Sequence, residues 1–321
     1  MTQLVIKHPQ KKPRHIPISR IKHILVLNPS VTFSSSAIYL CAQNNVPIDF
    51  LDYTGKPFAR MAAPEQPAWR YGTYQLEALR NLKGWMLART FVEAKIRNQF
   101  HLLKYHAKYR LDRDPRFAEL YHQEVPRIEG YLEELEALPL DMDLTEGRGK
   151  LFGIEGRAAG AYWKLVRQIV RKRIDFEGRR HRGAEDLMNV LLNYGYGILY
   201  SRIWGALMLA GLNVQISFLH APQYQKPTLV FDMIEEFRAQ VIDRVVISML
   251  NRGEKFHLHK GRLNKESRDL IVENVFERLN TPVKFAGKHR PLQDIIHHQA
   301  RQIGRFLKGE IPLYKPFIAR W

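Results

Sequence analysis

The sequence predicts an α+β protein in which a small β-rich N-terminal domain precedes a larger helical one. Short runs of β-branched residues are confined to the first part of the chain, and later apolar residues recur at helical spacing. We expect the β-rich domain at residues 1–60, a linker at 61–68 and an all-α domain at 69–321. The chain has 321 residues, 45% of them hydrophobic, which is enough for two buried cores.

Three apolar runs in the first domain are typical of strands: LVIK, ILVLNPSVTF and VPIDFLD. Between the last two lies SSSAIYLCAQNN, a predicted helix with a serine to cap its start and an Asn-Asn pair to end it. Cys41 is the only cysteine, which excludes a disulfide within the chain; we expect it to be a buried apolar residue.

Helical patterns fill the second domain, interrupted by a predicted loop at PLDMDLTEGRGK. The apolar stretch 187–211 contains asparagines, an arginine and four glycines, so it predicts a buried core helix and not a membrane span. We also predict one continuous helix over residues 229–250 and another over 292–308 that ends at Gly309. The N-terminus has no apolar signal segment, so we expect a cytoplasmic protein.

The charge balance indicates a polyanionic partner. There are 50 Lys and Arg against 32 Asp and Glu, a formal charge of +18, which favours nucleic acid first and an anionic membrane second. Basicity that only aids solubility is the alternative. Two basic runs are the candidates for contacts with DNA phosphates, and a solvated charged face is the alternative for each. They are Arg171, Lys172 and Arg173, and then Arg179, Arg180 and Arg182.

Three polar side chains stand in apolar surroundings: Glu155, His220 and Glu235. Two carboxylates and an imidazole suit a hard divalent cation such as Mg²⁺ or Mn²⁺, and on a basic chain this indicates chemistry on a phosphodiester. Each residue also has an ordinary structural interpretation. Glu155 could offset the dipole at a helix start, His220 could be a hydrogen-bonded core group, and Glu235 could pair with Arg238.

Several segments resemble those of one known family. They are GIEGRAAGAYW, LLNYGYGILYSRIWGALMLAGL, ISFLHAP, LVFDMIEEFRAQVIDRVVISMLN and, near the N-terminus, VTFSSSAIYLCAQNNVPIDFLDYTGK. In this order they are similar to the CRISPR-associated protein 1 family, the integrases that insert new spacers into CRISPR arrays. The resemblance extends over nearly the whole chain, and its motifs are specific in combination although each alone is modest.

The resemblance implies a metal-dependent DNA endonuclease and integrase that acts on double-stranded DNA. It implies a homodimer, two of which flank a dimer of CRISPR-associated protein 2, and in some members a fused reverse transcriptase. By motif it implies that Glu155, His220 and Glu235 are the ligands of Mg²⁺ or Mn²⁺, with Asp232 as a second acid beside the metal. Asp232 could orient His220 or a metal-bound water, or it could be only a helix-start carboxylate.

One departure from the family concerns the N-terminus. Family members usually begin with an additional β-hairpin before the strand LVIK, whereas this sequence starts almost at that strand, as a trimmed chain or a domain cut from a longer fusion would. Two alternatives stay open for the function. One is a transposon-encoded integrase of the same fold, and the other is a catalytically silent DNA-binding scaffold.

Overall fold

A computed structural model describes residues 2–27, 30–52, 57–63, 70–180, 185–224 and 226–319. The predicted order of a β-rich N-terminal part and a mostly helical remainder is confirmed. Each of the two parts has its own hydrophobic core. The smaller core contains Leu4, Ile18, Val26, Leu40, Cys41, Val46 and Ile48, and the larger one fills the helical part.

The N-terminal part begins with a hairpin of β1 (Gln3–His8) and β2 (Lys11–Pro17), which pair antiparallel. β3 (Ile24–Val26) runs parallel to β4 (Ile48–Leu51), and helix α1 (Ser35–Gln43) connects the two. β5 (Pro57–Met61) adds an antiparallel edge to β4. The hydroxyl of Ser34 accepts the N–H of Ala37, so the predicted serine cap of α1 is confirmed.

Two strands of this part were not predicted. The strand predicted at LVIK is confirmed as β1, but its hairpin partner β2 was not predicted, and β2 is exposed over most of its length. Its sequence, KKPRHIP, therefore lacks the alternation of apolar and polar residues that marks a half-buried strand. The second missed strand, β5, overlaps the predicted linker at Met61; residues 64–68 of that linker lie outside the described residues.

The remainder consists of packed helices with two short hairpins between them. In chain order they are α2 (Gly72–Ala78), α3 (Leu82–Ala107), α4 (Pro115–Glu136), α5 (Leu144–Val170), α6 (Leu187–Ala210), α7 (Thr228–Ile234), α8 (Arg244–Arg252), β6 (Leu258–His259), β7 (Arg262–Leu263), α9 (Lys265–Asn280), β8 (Pro282–Phe285), β9 (Lys288–Pro291) and α10 (Leu292–Lys308). α5 packs against α3 and α4, while α6 packs against α10.

Helix α6 is the buried helix that the sequence predicted. It ends at Gly211, whose φ of 84° is the left-handed conformation that a helix C-cap often requires and that glycine adopts without strain. Similarly, α10 has the predicted bounds and ends at Gly309. No helix in the described part of the chain is long and apolar enough to cross a membrane.

The continuous helix predicted over residues 229–250 is wrong. α7 ends at Ile234, a turn follows, and a π-helical segment, Arg238–Asp243, leads into α8. The apolar stripe that predicted one helix is nevertheless buried throughout, because the segment is buried on nearly all sides, its polar residues Glu236, Gln240 and Asp243 included. π-helical turns inside helices are frequent at functional sites, and this one begins three residues after Glu235.

Candidate active site

Glu155 lies midway along α5, where its side chain is 17% exposed. The segment PLDMDLTEGRGK, which we predicted as a loop, already enters this helix at Leu144. The true helix start is capped by Asp143, whose carboxylate accepts the N–H groups of Thr145 (2.8 Å) and Glu146 (3.2 Å). The structural alternative that Glu155 offsets the dipole at a helix start is therefore wrong.

Glu235 occupies the point where the helical segment breaks, and its side chain is only 4% exposed. Its Oε1 lies 2.8 Å from an Nη of Arg238, which is the pairing considered from the sequence. Burial alone would raise the pKa of Glu235, but the charges of Arg238 and Lys95 outweigh burial and lower the pKa to about 2. Glu235 is therefore a carboxylate at neutral pH.

Lys95 of α3 connects the two acids. Its ammonium forms a short hydrogen bond with Oε1 of Glu155 and lies 2.9 Å from Oε2 of Glu235. Burial opposes the charge on Lys95, yet the two carboxylates more than compensate and raise its pKa. Lys95 could not be predicted as a site residue, because it is one of many cations on a long helix and only the fold brings it to the acids.

His220 and Asp232 form the neighbouring part of the site. Asp232 is completely buried, and its carboxylate accepts the backbone N–H groups of Phe218 (2.7 Å), Leu219 (2.9 Å) and His220 (2.9 Å). Nδ1 of His220 lies 2.8 Å from Oδ1 of Asp232. This is the contact of a group that orients His220, and it agrees with the first of the two interpretations of Asp232.

The imidazole of His220 lies between two aromatic rings. The Phe152 ring is 5.6 Å away and the Phe231 ring 5.9 Å away, both in edge-to-face geometry. Phe152 is on α5 one turn before Glu155, so this contact places the imidazole beside the turn that carries the glutamate. Burial lowers the pKa of His220, but Asp232 and Glu235 outweigh it and raise the pKa above its usual value.

A buried network fixes Arg238 on the π-helical segment. Its guanidinium stacks over Tyr196 at 5.0 Å, and the Tyr162 hydroxyl donates to Asp243 at 2.8 Å. The Tyr196 hydroxyl donates to the other oxygen of Asp243 at 2.5 Å. Sequence reasoning missed Asp243, whose signal is weak because it lies within a predicted apolar helix.

The predicted metal ligands Glu155 and Glu235 contact a positive charge, but that charge is the ammonium of Lys95. Two carboxylates converge on one positive charge, so their donor type and charge fit a hard divalent metal. Within the described residues, however, no three side chains of His, Cys, Asp or Glu are placed to hold one metal ion. In this arrangement Lys95 fills the space between Glu155 and Glu235.

The first basic run, Arg171, Lys172 and Arg173, lies at the C-terminal end of α5. Lys172 and Arg173 are exposed, while Arg171 is bonded to both oxygens of Asp114 at 2.8 and 2.9 Å. Arg171 also lines an open depression together with Arg116 and Arg167. A concentration of guanidinium groups of this kind suits a phosphate.

The second run is less open. The guanidinium of Arg179 donates to Asn189 at 2.8 Å and to Asn193 at 2.6 Å and stacks over Tyr196, so its polar atoms are engaged within the fold. Arg180 pairs with Glu177 at 3.0 Å on the surface. Arg182 lies outside the described residues, and the role of this run in DNA binding stays a prediction.

The chain has a small mixed sheet joined to a helical body, in which two acids converge on one cation. Comparison with known proteins identifies the family that has this fold. Residues 1–277 match the family described as CRISPR associated protein Cas1, and the chain belongs to that family. "CRISPR-associated endonuclease Cas1 1" of Archaeoglobus fulgidus is 32% identical over 331 aligned positions, covering 99% of this chain and 95% of that protein. The family resemblance of the sequence is thus confirmed.

Solved structures share the fold. "Casposase bound to integration product" has a TM-score of 0.80 at 24% identity and covers 98% of this chain and 88% of that one. "Cas6-RT-Cas1--Cas2 complex" has a TM-score of 0.79 at 22% identity and covers all of this chain but 34% of that one. At these identities the likeness concerns the fold alone.

Proposed function

We propose that this Cas1-family chain is a metal-dependent DNA endonuclease and integrase that inserts new spacers into a CRISPR array. The reaction is the attack of a DNA 3′-hydroxyl on a phosphodiester of the array, and attack by water would give cleavage instead. The observation that carries the proposal is the convergence of Glu155 and Glu235, from separate elements, on one buried positive charge. The name of the Archaeoglobus relative, an endonuclease, agrees with it.

Glu155, Glu235 and His220 are the side chains that would hold Mg²⁺ or Mn²⁺. When bound, the metal supplies polarisation of the phosphodiester and stabilisation of the departing alkoxide. In the neutral imidazole, the contact with Asp232 favours the proton of His220 on Nδ1, so Nε2 is the nitrogen that can act as a ligand. Arg238 fixes the orientation of Glu235 from the opposite side.

Double-stranded DNA is the proposed substrate, and the charge distribution supports it. The formal charge of +18 attracts phosphates from a distance. The guanidinium groups of Arg116, Arg167 and Arg171 concentrate at the C-terminal end of the helix that carries Glu155. With a rise of about 1.5 Å per residue, Arg171 lies about 24 Å along α5 from Glu155, so a duplex could contact both.

The assembly is also part of the proposal. We expect a homodimer that binds a dimer of CRISPR-associated protein 2, and the solved complex of a Cas6-RT-Cas1 chain with Cas2 supports that partner and a reverse transcriptase in some assemblies. Light scattering of the purified chain, alone and with the candidate partner, measures both associations. A monomer that stays unbound would contradict them.

A transposon-encoded integrase is the second candidate function. The casposase likeness favours it, since that structure contains an integration product and has the same fold. The two candidates differ in the DNA they select. Insertion directed to the boundary of a CRISPR repeat supports spacer integration, whereas insertion of an element by its terminal repeats supports the transposon-encoded enzyme.

The test is strand transfer of a duplex with a free 3′-hydroxyl into a supercoiled plasmid, with Mn²⁺, Mg²⁺ or EDTA. We expect joined products from the wild type only with metal, and none from Glu155→Ala, His220→Ala or Glu235→Ala, each with DNA binding retained. Glu134→Ala is the matched control, because Glu134 is a partly exposed carboxylate that pairs with Arg157 on the surface. Strand transfer in EDTA or by any of the three variants would refute the metal site. A wild type that binds DNA but transfers no strand with either metal would support the catalytically silent scaffold.

A further inference from the structure

Lys95 separates the two carboxylates that the proposed function requires for a metal. Its ammonium contacts Glu155 and Glu235 at once, and the Lys95 side chain is only 13% exposed. Charges buried to this degree are tolerated when they are paired. Lys95 and Arg238 together balance the charges of Glu155 and Glu235, so this group of four side chains is neutral.

We propose that Lys95 is a displaceable internal counter-ion, which occupies the position between Glu155 and Glu235 in the metal-free protein and leaves it when a divalent cation binds. This inference rests on the proposed function, because it concerns how the same site accepts its metal. Metal binding and the Lys95 contacts are then mutually exclusive, and Lys95 lowers the affinity of the site for metal.

The two cations of the site differ in how firmly they are held. Arg238 is fixed by stacking on Tyr196 and by its bond to Glu235. The ammonium of Lys95, by contrast, ends a flexible four-carbon chain and has no aromatic stacking partner among the contacts of the described residues. Lys95 can therefore withdraw while Arg238 stays in place.

The exchange has a consequence for substrate binding. Replacing the single charge of Lys95 by a doubly charged metal raises the summed charge of the site by one unit. This gain of positive charge favours the binding of a phosphodiester, and the released ammonium becomes available to a DNA phosphate. Lys95 would thus couple metal entry to DNA binding.

The test compares Mn²⁺ binding, measured by the electron paramagnetic resonance signal of free Mn²⁺ during titration of the protein without DNA. We expect Lys95→Met, which removes the charge and shortens the side chain by one atom, to bind Mn²⁺ about tenfold more tightly than the wild type, equivalent to about 1.4 kcal/mol. Lys95→Arg keeps the charge and should bind no more tightly than the wild type. Without metal, the Met variant should melt at a lower temperature, and Mn²⁺ should raise its melting temperature more.

Arg97→Met is the matched control. Arg97 lies on the same helix and also pairs with two carboxylates, Glu93 at 2.7 Å and Glu136 at 2.6 Å, but away from the site. This variant should bind Mn²⁺ like the wild type. If Lys95→Met does not fold, Lys95→Gln provides the same removal of charge.

Two negative outcomes are distinguishable. If the wild type binds Mn²⁺ in a manner that Glu155→Gln abolishes, but the neutral Lys95 variants bind no more tightly, the displacement is refuted and the metal site stands. If the wild type shows no Mn²⁺ binding that depends on Glu155, the metal in the proposed function fails and the displacement fails with it.

Discussion

Substitution of Asp232 by asparagine tests whether this acid acts by holding the segment that carries His220. The carboxylate accepts four hydrogen bonds, from three consecutive backbone N–H groups and from the imidazole of His220. Asparagine has almost the same shape but only one acceptor oxygen. Its amide group would point two hydrogens at groups that are themselves donors.

The size of the effect follows from the number of bonds affected. If the remaining oxygen keeps the N–H groups of Phe218 and Leu219, those bonds lose the assistance of the charge, and the buried N–H of His220 loses its acceptor. An unsatisfied buried donor costs about 1–3 kcal/mol, and charge-assisted bonds exceed neutral ones by about 1 kcal/mol each. We therefore expect a loss of about 3–5 kcal/mol, which at about 2 °C per kcal/mol lowers the melting temperature by about 6–10 °C.

The assay is thermal unfolding followed by circular dichroism, together with strand transfer measured well below the melting temperature. Asp143→Asn is the control, since Asp143 caps α5 through one oxygen, Oδ1, which accepts the N–H groups of Thr145 and Glu146, and asparagine is an equally good cap. We expect that control to melt within about 1 °C of the wild type. A melting temperature of Asp232→Asn equally close to the wild type, with strand transfer intact, would refute the anchoring role.

Two further predictions concern the scaffold. Gly147→Ala should lose about 1–3 kcal/mol of stability in urea unfolding, because the added methyl group would enter the ring of Trp85. Gly149→Ala is the control on the same helix: its methyl group meets nothing within 4 Å, and it should gain up to about 1 kcal/mol. Equal effects of the two substitutions on stability would contradict this packing. His106 has its pKa lowered to about 3 by burial and by two neighbouring arginines, so its stabilising contribution is complete above about pH 6.5 and is lost as the pH falls towards 3. Between pH 7.5 and 5.0 the wild type should consequently lose about 2 kcal/mol more than His106→Gln in urea unfolding, and parallel losses would refute this.

The sequence predicted best those elements whose ends carry their own chemical signal. α1 has its serine cap, while α6 and α10 end at glycines, so their bounds were predicted to within a residue or two. Strand β2 failed because neither of its faces is buried over most of its length, and without a buried face there is no alternation to detect.

The start of α5 shows a different limit. Glycines at positions 147, 149, 153, 156 and 160 reduce the intrinsic helix propensity of this segment, and so the sequence favoured a loop before Glu155. Tertiary packing overrides that propensity, since Gly147 accommodates the ring of Trp85 and a larger residue would not. The position of Glu155 in mid-helix therefore depends on a long-range contact that local patterns do not contain.

The same limit applies to the candidate site. Glu155, His220 and Glu235 could be singled out because polar side chains are conspicuous in apolar segments, and Asp232 was added by the resemblance to the family motif. Lys95 could not, because it lies among many similar cations and its importance depends on two partners far away in the sequence. The residues that neutralise a site are harder to predict than the residues that define it.

The C-terminal tail after α10 is bound to the same break in the helix. Glu236 accepts hydrogen bonds from the Tyr314 hydroxyl, from the Phe317 N–H at 3.0 Å and from the Gln299 side chain at 3.2 Å. Asn98 of α3 donates to the carbonyls of Glu236 (2.9 Å) and Phe317 (2.8 Å). The tail thereby fixes the backbone at Glu236, the residue next to Glu235.

The break explains how three acids close together in sequence serve three different contacts. Asp232, in the last turn of α7, binds the segment at 218–220 that carries the imidazole. Glu235 faces Lys95, and Glu236 faces the tail. In a regular helix, residues 235 and 236 would differ by about 100° in direction and would continue into the next turn with all their backbone groups paired. Ending α7 at residue 234 removes that constraint, and Glu235 contacts the same ammonium of Lys95 as Glu155 does, while its neighbours Asp232 and Glu236 fix the chain on either side of it.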